Sequence, residues 1–203
     1  MHRTLEIIAI GLFAILAAGL GWKLVATLDG WTSTVILALA AVVGYALADL
    51  ISGIVHWLGD RYGSETTPLI GPIFVRPFRE HHLDPKAITR HGFVETNGSN
   101  CIVSVPCMAV AFFVIPETPS LFSTFLLGGK LAFCLAIFAT NQFHKWAHMD
   151  NPPRLVPLLR SISLILTPEH HGIHHSAPFD RNYCITVGWW NPLIHRIFKE
   201  ANP

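Results

Sequence analysis

Apolar and polar stretches alternate along the chain, and their lengths sort them into elements. Residues 5–28 are interrupted only by Glu6 near the start and Lys23 near the end, and residues 34–58 only by Asp49 and His56. Either stretch is long enough for a helix that crosses a hydrocarbon core of about 30 Å. Residues 121–140 form another run of that length, whereas residues 102–115 stop at Pro116, short of the ~20 residues a span needs. The pattern predicts four spanning helices, the third of them short, with Pro116-Glu117-Thr118-Pro119 turning the chain between the last two. His2, Arg3 and the small residues Ala17-Ala18-Gly19 would also suit a signal peptide, but the first stretch is read as a retained span. Residues 155–166 are apolar but short and carry Arg160, which predicts a helix lying on or dipping into the membrane.

Between the second and third runs, residues 59–100 are polar and charged, with Pro68, Pro72, Pro77 and Pro85, so they read as a loop with short interfacial helices. Composition agrees with a membrane chain: 51% of the residues are hydrophobic and only 13% charged, with a mean hydropathy of +0.45. That apolar content excludes disorder, and a net charge of +1 excludes a nucleic-acid binder. Cys101, Cys107, Cys134 and Cys184 contain no C-x-x-C pair and sit mostly in or beside apolar runs, which argues against a disulfide scaffold. Of the 14 basic residues, all but Lys23 and Lys130 fall in the N-terminus, the 59–100 loop, the region 141–203 or the adjoining helix ends, so that side is expected to be cytoplasmic. The expected fold is a single all-α integral membrane domain over residues 1–203. It would have about four transmembrane helices and a cytoplasmic histidine-rich cap carrying a di-metal site. Oligomeric state has no marker in the pattern.

Twelve histidines are the anomaly, nearly as many as the lysines and arginines together. All fall on the expected cytoplasmic side. Asn141, His144 and His148 stand at i, i+3 and i+7, on one helical face. His170-His171-Gly172-Ile173-His174-His175 provides i,i+4 and i,i+3 pairs dense enough to serve two neighbouring ions, His81-His82 adds an adjacent pair, and His56 adds one from the second span. Isolated His2 and His195 are expected to be ordinary surface or interface histidines, and His91 is either a ligand or a hydrogen-bond partner of a carboxylate. A zinc protease is excluded, because Lys145 stands where an H-E-x-x-H helix needs its glutamate. One zinc ion takes three or four ligands and would leave half of this set idle, whereas two ions use it all. Two irons held by imidazoles activate oxygen and remove hydrogen from unactivated C–H bonds, chemistry that side chains alone do not supply.

Asp49 is the one carboxylate well inside a spanning run, where an unpaired charge is costly. It shares a helix face with His56 but lies about 10 Å away along the axis. Two roles are open to it. It accepts a hydrogen bond from the outward ring nitrogen of a metal-bound histidine on another helix, or it serves a structural purpose at a basic residue or helix end.

Five segments carry a family resemblance: DLISGIVHW from Asp49, RPFREHHLDP from Arg76, AITRHGFVETNG from Ala87, NQFHKWAH from Asn141 and HHGIHH from His170. Over roughly residues 45–198 the chain resembles the plasmanylethanolamine desaturases, the Kua/CarF-like lipid desaturases. The resemblance implies an iron- and O2-dependent enzyme that introduces a double bond beside the ether oxygen of a 1-O-alkyl phospholipid. The plant plastid desaturases that act on the palmitate of phosphatidylglycerol share the histidine pair and the HH-x-x-HH motif, but His91 and Glu95-Thr96-Asn97-Gly98 match the ether-lipid enzymes.

Carried over position by position, the resemblance implies that His56, His81, His82, His144, His148, His170, His171, His174 and His175 hold two iron ions, with zinc an occupant of purified forms. His91, Asp49 and Asn141 are outer or alternative ligands. Arg76, Arg79, Lys86 and Arg90 either hold the lipid phosphate or are solvated positive-inside charges. Nothing in the chain resembles a flavin, haem or ferredoxin module. An external electron carrier, cytochrome b5-like or ferredoxin-like, is therefore expected to dock on the basic face near Arg61, Arg154, Arg181 or Lys199. The membrane is expected to be a bacterial inner membrane or the endoplasmic reticulum. A membrane lipid hydroxylase with the same metals is the nearest alternative activity. A metal transporter would need ligands near mid-membrane, where only Asp49 comes close.

Overall fold

The computed structural model of the chain describes residues 2–68 and 70–199. Every regular element among them is helical: α1 (His2–Ala26), α2 (Trp31–Arg61), a π-helical turn (Gly71–Val75), α3 (Arg76–Leu83), α4 (Ala87–Arg90), α5 (Phe93–Val114), α6 (Leu121–Ala147), α7 (Val156–Ser161), α8 (Pro168–His174) and α9 (Asn191–Lys199). Helices α1, α2, α5 and α6 are long and apolar enough to cross a membrane. Outward apolar side chains such as Ile15, Val42, Phe113 and Phe122 are exposed, as lipid-facing positions are. The chain is an all-helical integral membrane protein.

The chain forms two compact units, Met1–Ala48 with Gly92–Asn141 and Asp49–His91 with Gln142–Pro203. The first packs Ala9, Phe13, Leu20, Leu24, Cys101, Met108, Ala111, Leu127 and Cys134 into one core. Gly44 lies so close to Gly129 that a Cβ there would strike the Gly129 carbonyl oxygen, so the two glycines let α2 and α6 approach backbone to backbone. Lys23 is not a stray charge: its Nζ donates to the carbonyls of Phe112 at 2.6 Å and Ile115 at 2.7 Å, which the end of α5 leaves without helical partners.

Helix α5 starts well before the apolar run that predicted it. Its first turns bury Thr96, Asn97 and Gly98. Asn97 Nδ2 donates to Phe93 O and Thr96 Oγ1 to Gly92 O, both at 3.0 Å, so each of these polar side chains bonds to the backbone one turn before it. The third long helix is thus 22 residues rather than a short span.

In the second unit, the segment from Tyr183 to Trp190 is tied to the end of α2. Asp49 Oδ1 accepts from the backbone N–H groups of Val187 at 2.8 Å and Gly188 at 2.9 Å, and Ser52 Oγ accepts from Ile185 N at 3.2 Å. A Cβ on Gly53 would collide with Cys184 Sγ, so this segment lies directly on the α2 backbone. Tyr183, Cys184 and Ile194 form the core there, with Leu50, Trp57, Trp190 and Phe198 against it. The apolar stretch 155–166 yields only the six-residue α7; Leu166 then packs with Ala147 and Ile185.

Candidate metal centre

Four helices of the second unit deliver histidines to one place. The end of α2 supplies His56, with Asp60 one turn later; α3 supplies His81 and His82; the end of α6 supplies His144 and His148; and α8 supplies His171 and His174, with His175 as its C-cap. Each helix places its pair by spacing: i,i+4 brings two rings onto one face, and adjacent His81 and His82 diverge to serve different groups. Helix α8 is set by Pro168 in its first turn and by Thr167, whose Oγ1 accepts from His170 N at 3.2 Å.

The ring nitrogens gather into two groups. His81, His144, His148, His171 and His175 form one; His56, Asp60, His82 and His174 form the other; within each, every ligand atom lies within 4.8 Å of every other. In the first group Nε2 atoms stand 2.8 Å apart between His144 and His171, 2.9 Å between His171 and His148, and 3.0 Å from His175 to both His81 and His171. In the second, His174 Nε2 is 3.1 Å from His56 Nε2, and Asp60 Oδ2 is 3.1 Å from His82 Nε2 and 3.3 Å from His174 Nε2. The groups adjoin, with the His82 and His175 ring centroids 5.0 Å apart.

These spacings fit metal ions. Donors about 2.0–2.1 Å from a common ion and at right angles to one another stand about 3 Å apart. Without an ion, converging Nε2 atoms can share few protons, and most would meet lone pair to lone pair. Protonation does not relieve this. Burial first, then repulsion from His148 and His175, holds His81 down at about 2; burial with His174 and Lys86 holds His148 at about 4; burial with His148 and His174 holds His175 at about 3. His171 is pushed well below its usual value by the same causes. These rings stay neutral at pH 7, as metal ligation requires.

The outward nitrogens fix two of the rings. His56 Nδ1 donates to Tyr183 O at 3.0 Å and His174 Nδ1 to Arg181 O at 2.9 Å, which leaves each Nε2 as the inward lone pair. Both residues are fully buried, and Phe78 covers His56 with ring centroids 5.1 Å apart.

Eight of the nine histidines expected as ligands fall in the two groups; His170 does not. Its Nε2 is 2.8 Å from Asn191 Nδ2 and its carbonyl accepts from Asn182 Nδ2 at 3.0 Å, because α8 turns this position away from its neighbours' face and toward the C-terminal segment. Asn141 and His91 also lie outside both groups; the His91 carbonyl accepts from Lys145 Nζ. Asp49 faces the backbone amides before α9, not a ring nitrogen of either group. Arg76 pairs with Glu80 at 3.6 Å, Lys86 with Asp150 at 2.7 Å and Arg90 with Asp84 at 2.6 Å, while Arg79 donates to Gly63 O at 2.8 Å. The Lys199 side chain lies outside the described residues. Asp60 is the donor that sequence reasoning missed. Its signal was the i,i+4 spacing from His56, hidden because the apolar pattern ends at Leu58 while α2 continues to Arg61.

A lipid desaturase domain model matches residues 45–200. The chain is 48% identical over 190 residues to a plasmanylethanolamine desaturase of Myxococcus xanthus, covering 93% of this chain and 66% of that protein. It is 44% identical over 165 residues to plasmanylethanolamine desaturase 1 of Mus musculus, covering 79% and 61%. It is 37% identical over 159 residues to the chloroplastic fatty acid desaturase 4 of Arabidopsis thaliana, covering 77% and 47%. The chain thus spans somewhat under two thirds of the length of the first two relatives. No solved structure matches it.

Proposed function

Because the chain belongs to the lipid desaturase domain family, we propose that it converts 1-O-alkyl (plasmanyl) phospholipid, with plasmanylethanolamine as the preferred substrate, to the 1-O-alk-1'-enyl vinyl ether. The observation that carries this reading is the pair of adjoining donor groups, five histidines beside three histidines and an aspartate. A donor set of that size exceeds the need of a structural or hydrolytic zinc site and suits two irons. The names of the relatives at 48% and 44% identity support the ether-lipid substrate over the fatty acyl one, whose namesake stands at 37%.

Iron bound here would supply oxygen activation and removal of one hydrogen from each of the first two carbons of the 1-O-alkyl chain, with O2 reduced to two waters by those hydrogens together with two electrons from the carrier and two protons. The protein's own part is positioning. His81, His144, His148, His171 and His175 would hold one ion; His56, His82, His174 and Asp60 would hold the other. Tyr183 O and Arg181 O keep His56 and His174 in the tautomer that presents Nε2 inward. Burial of His56, His144, His171 and His174 keeps bulk water from the donors. Electrons come from an external carrier of the cytochrome b5 or ferredoxin type. The charge asymmetry supports a cytoplasmic metal site in a bacterial inner membrane or the endoplasmic reticulum.

Expression in a plasmalogen-free host tests the proposal. Acid-labile vinyl ethers should appear with the wild-type chain and about two irons should co-purify with it. A product that gains an oxygen atom would instead identify a hydroxylase, and loosely held, exchangeable metal without product would identify a transporter.

A further inference from the structure

Beside the aspartate-containing group lies an open cavity of about 240 Å³, accessible from the surface and lined by Asp60, Arg61, Arg79, His82, Pro178 and Phe179. Asp60 and His82 are themselves donors of that group, so the cavity shares its wall with the metal centre. Arg61 and Arg79 bring two positive charges to it against the single carboxylate of Asp60, whose Oδ2 is turned to His82 and His174. Arg61 donates from Nε to Tyr183 Oη at 3.1 Å and from Nη2 to Phe179 O at 3.3 Å, and Arg79 donates from Nη2 to Gly63 O at 2.8 Å. All three acceptors are uncharged. By contrast Arg76, Lys86, Arg90 and Arg181 each face a carboxylate. A guanidinium has five N–H donors, so both cavity arginines keep donors and charge for an anion.

Phe179 adds a second observation. It holds φ at 60°, a left-handed conformation that bulky side chains rarely adopt. Its carbonyl accepts from both Arg61 and Tyr183 Oη, which fixes that conformation and keeps the ring beside His82, with centroids 5.3 Å apart. Backbone strain of this kind persists where surrounding structure imposes it, and such positions concentrate at ligand-binding sites.

We propose that this cavity is the phosphate subsite for the phospholipid substrate, with Arg61 and Arg79 clasping the phosphodiester. The inference rests on the ether-lipid reading above and adds how that lipid is placed. Only the glycerol backbone and the ether oxygen separate the phosphate from the carbons to be desaturated. An enzyme acting there must anchor the head group next to its metals, and a cationic cavity sharing walls with two metal donors does so. Forked guanidinium donors match phosphate oxygens and set orientation as well as affinity.

The test uses the full chain in detergent, loaded with iron. Three probes are used: a 1-O-alkyl glycerophosphoethanolamine, the corresponding 1-O-alkylglycerol without phosphate, and inorganic phosphate. Binding is read by displacement of a fluorescent lipid, and iron per chain is measured alongside. Wild-type protein should bind the phospholipid about 10- to 100-fold more tightly than the alkylglycerol. The double variant Arg61→Gln/Arg79→Gln should lose that margin while keeping its iron, and Arg76→Gln should keep both. Should loss of the Arg61–Tyr183 contact prevent folding, Arg79→Gln alone should narrow the margin by about tenfold. An undiminished margin in variants that retain iron overturns the subsite, as does inorganic phosphate binding as tightly as the phospholipid. Failure of the ether-lipid reading shows differently: no vinyl ether forms although the phosphate margin is present.

Discussion

Asp60 Oδ2 stands 3.1 Å from His82 Nε2, joining the last turn of α2 to α3 through the one carboxylate that the metal centre has among the described residues. Asp60 also lies 3.6 Å from His56 and 3.3 Å from His174, so it touches every other donor of its group. Asp60→Ala should leave the five-histidine group intact and empty the other, lowering iron from about two to about one per chain and abolishing turnover. Unchanged iron content measured on the purified variant would remove Asp60 from the ligand set.

Neighbouring His170 and His171 should behave in opposite ways. His171→Ala removes a nitrogen 2.8 Å from His144 and 2.9 Å from His148, and should abolish activity and lower metal content without preventing membrane insertion. The same holds for His81→Ala, His144→Ala and His175→Ala. His170→Ala removes the hydrogen-bond contact to Asn191 and the ring beside Gly188, so its effect should be on stability, about 1 kcal/mol, with iron retained. His195→Ala, outside both groups, is the control and should be nearly silent. Iron loss in His170→Ala equal to that in His171→Ala would contradict this assignment.

Asp49→Asn should destabilise the protein without emptying the metal site. Oδ1 takes the N–H bonds of Val187 and Gly188, and Oδ2 lies 3.4 Å from Trp190 N; an amide oxygen can replace Oδ1, but its nitrogen then turns a donor toward the Trp190 N–H, and the charge that strengthens the other two bonds is lost. The expected cost is about 2 kcal/mol, read as a lower melting temperature in detergent. Iron per folded chain should be normal, and a selective loss of iron at unchanged melting temperature would show that Asp49 acts on the metal.

Acid should weaken the metal-free protein. His81, His148 and His175 titrate at about 2, 4 and 3 in the folded chain and near 6.5 once unfolded. Their neutral forms therefore favour folding fully above about pH 6.5, and that contribution is lost as pH falls toward the folded values, because the unfolded chain takes up protons the native one refuses. Melting temperatures of chelator-treated protein between pH 8 and 5 should fall on the acid side; a flat profile would mean these rings are not buried as neutral groups.

Cysteine labelling in intact cells checks the orientation. Lys86→Cys should react only from the cytoplasmic side and Glu117→Cys only from the other, since the candidate span α5 lies between them and the positive-inside asymmetry favours a cytoplasmic Lys86. Labelling of both from one side would mean that α5 does not span.

Much of this protein is determined by sequence alone, because membrane insertion depends on run length and residue type rather than on long-range contacts. The apolar runs locate four long helices, and helical periodicity puts His144 with His148, and His171 with His175, on common faces before any packing is known. Periodicity does not say where a face points. Tertiary structure decided that His170 turns to Asn191 while His171 joins its neighbours, and that Asp49 spends its charge on the amides of Val187 and Gly188. It also carried α2 past the end of its apolar pattern to Asp60, and α5 back to Phe93 through polar residues that bond to the backbone one turn earlier. Division of the donors into two groups had no sequence signal, because it pairs His81 with the five-histidine set and His82 with Asp60, residues whose proximity exists only once four helix ends have packed together.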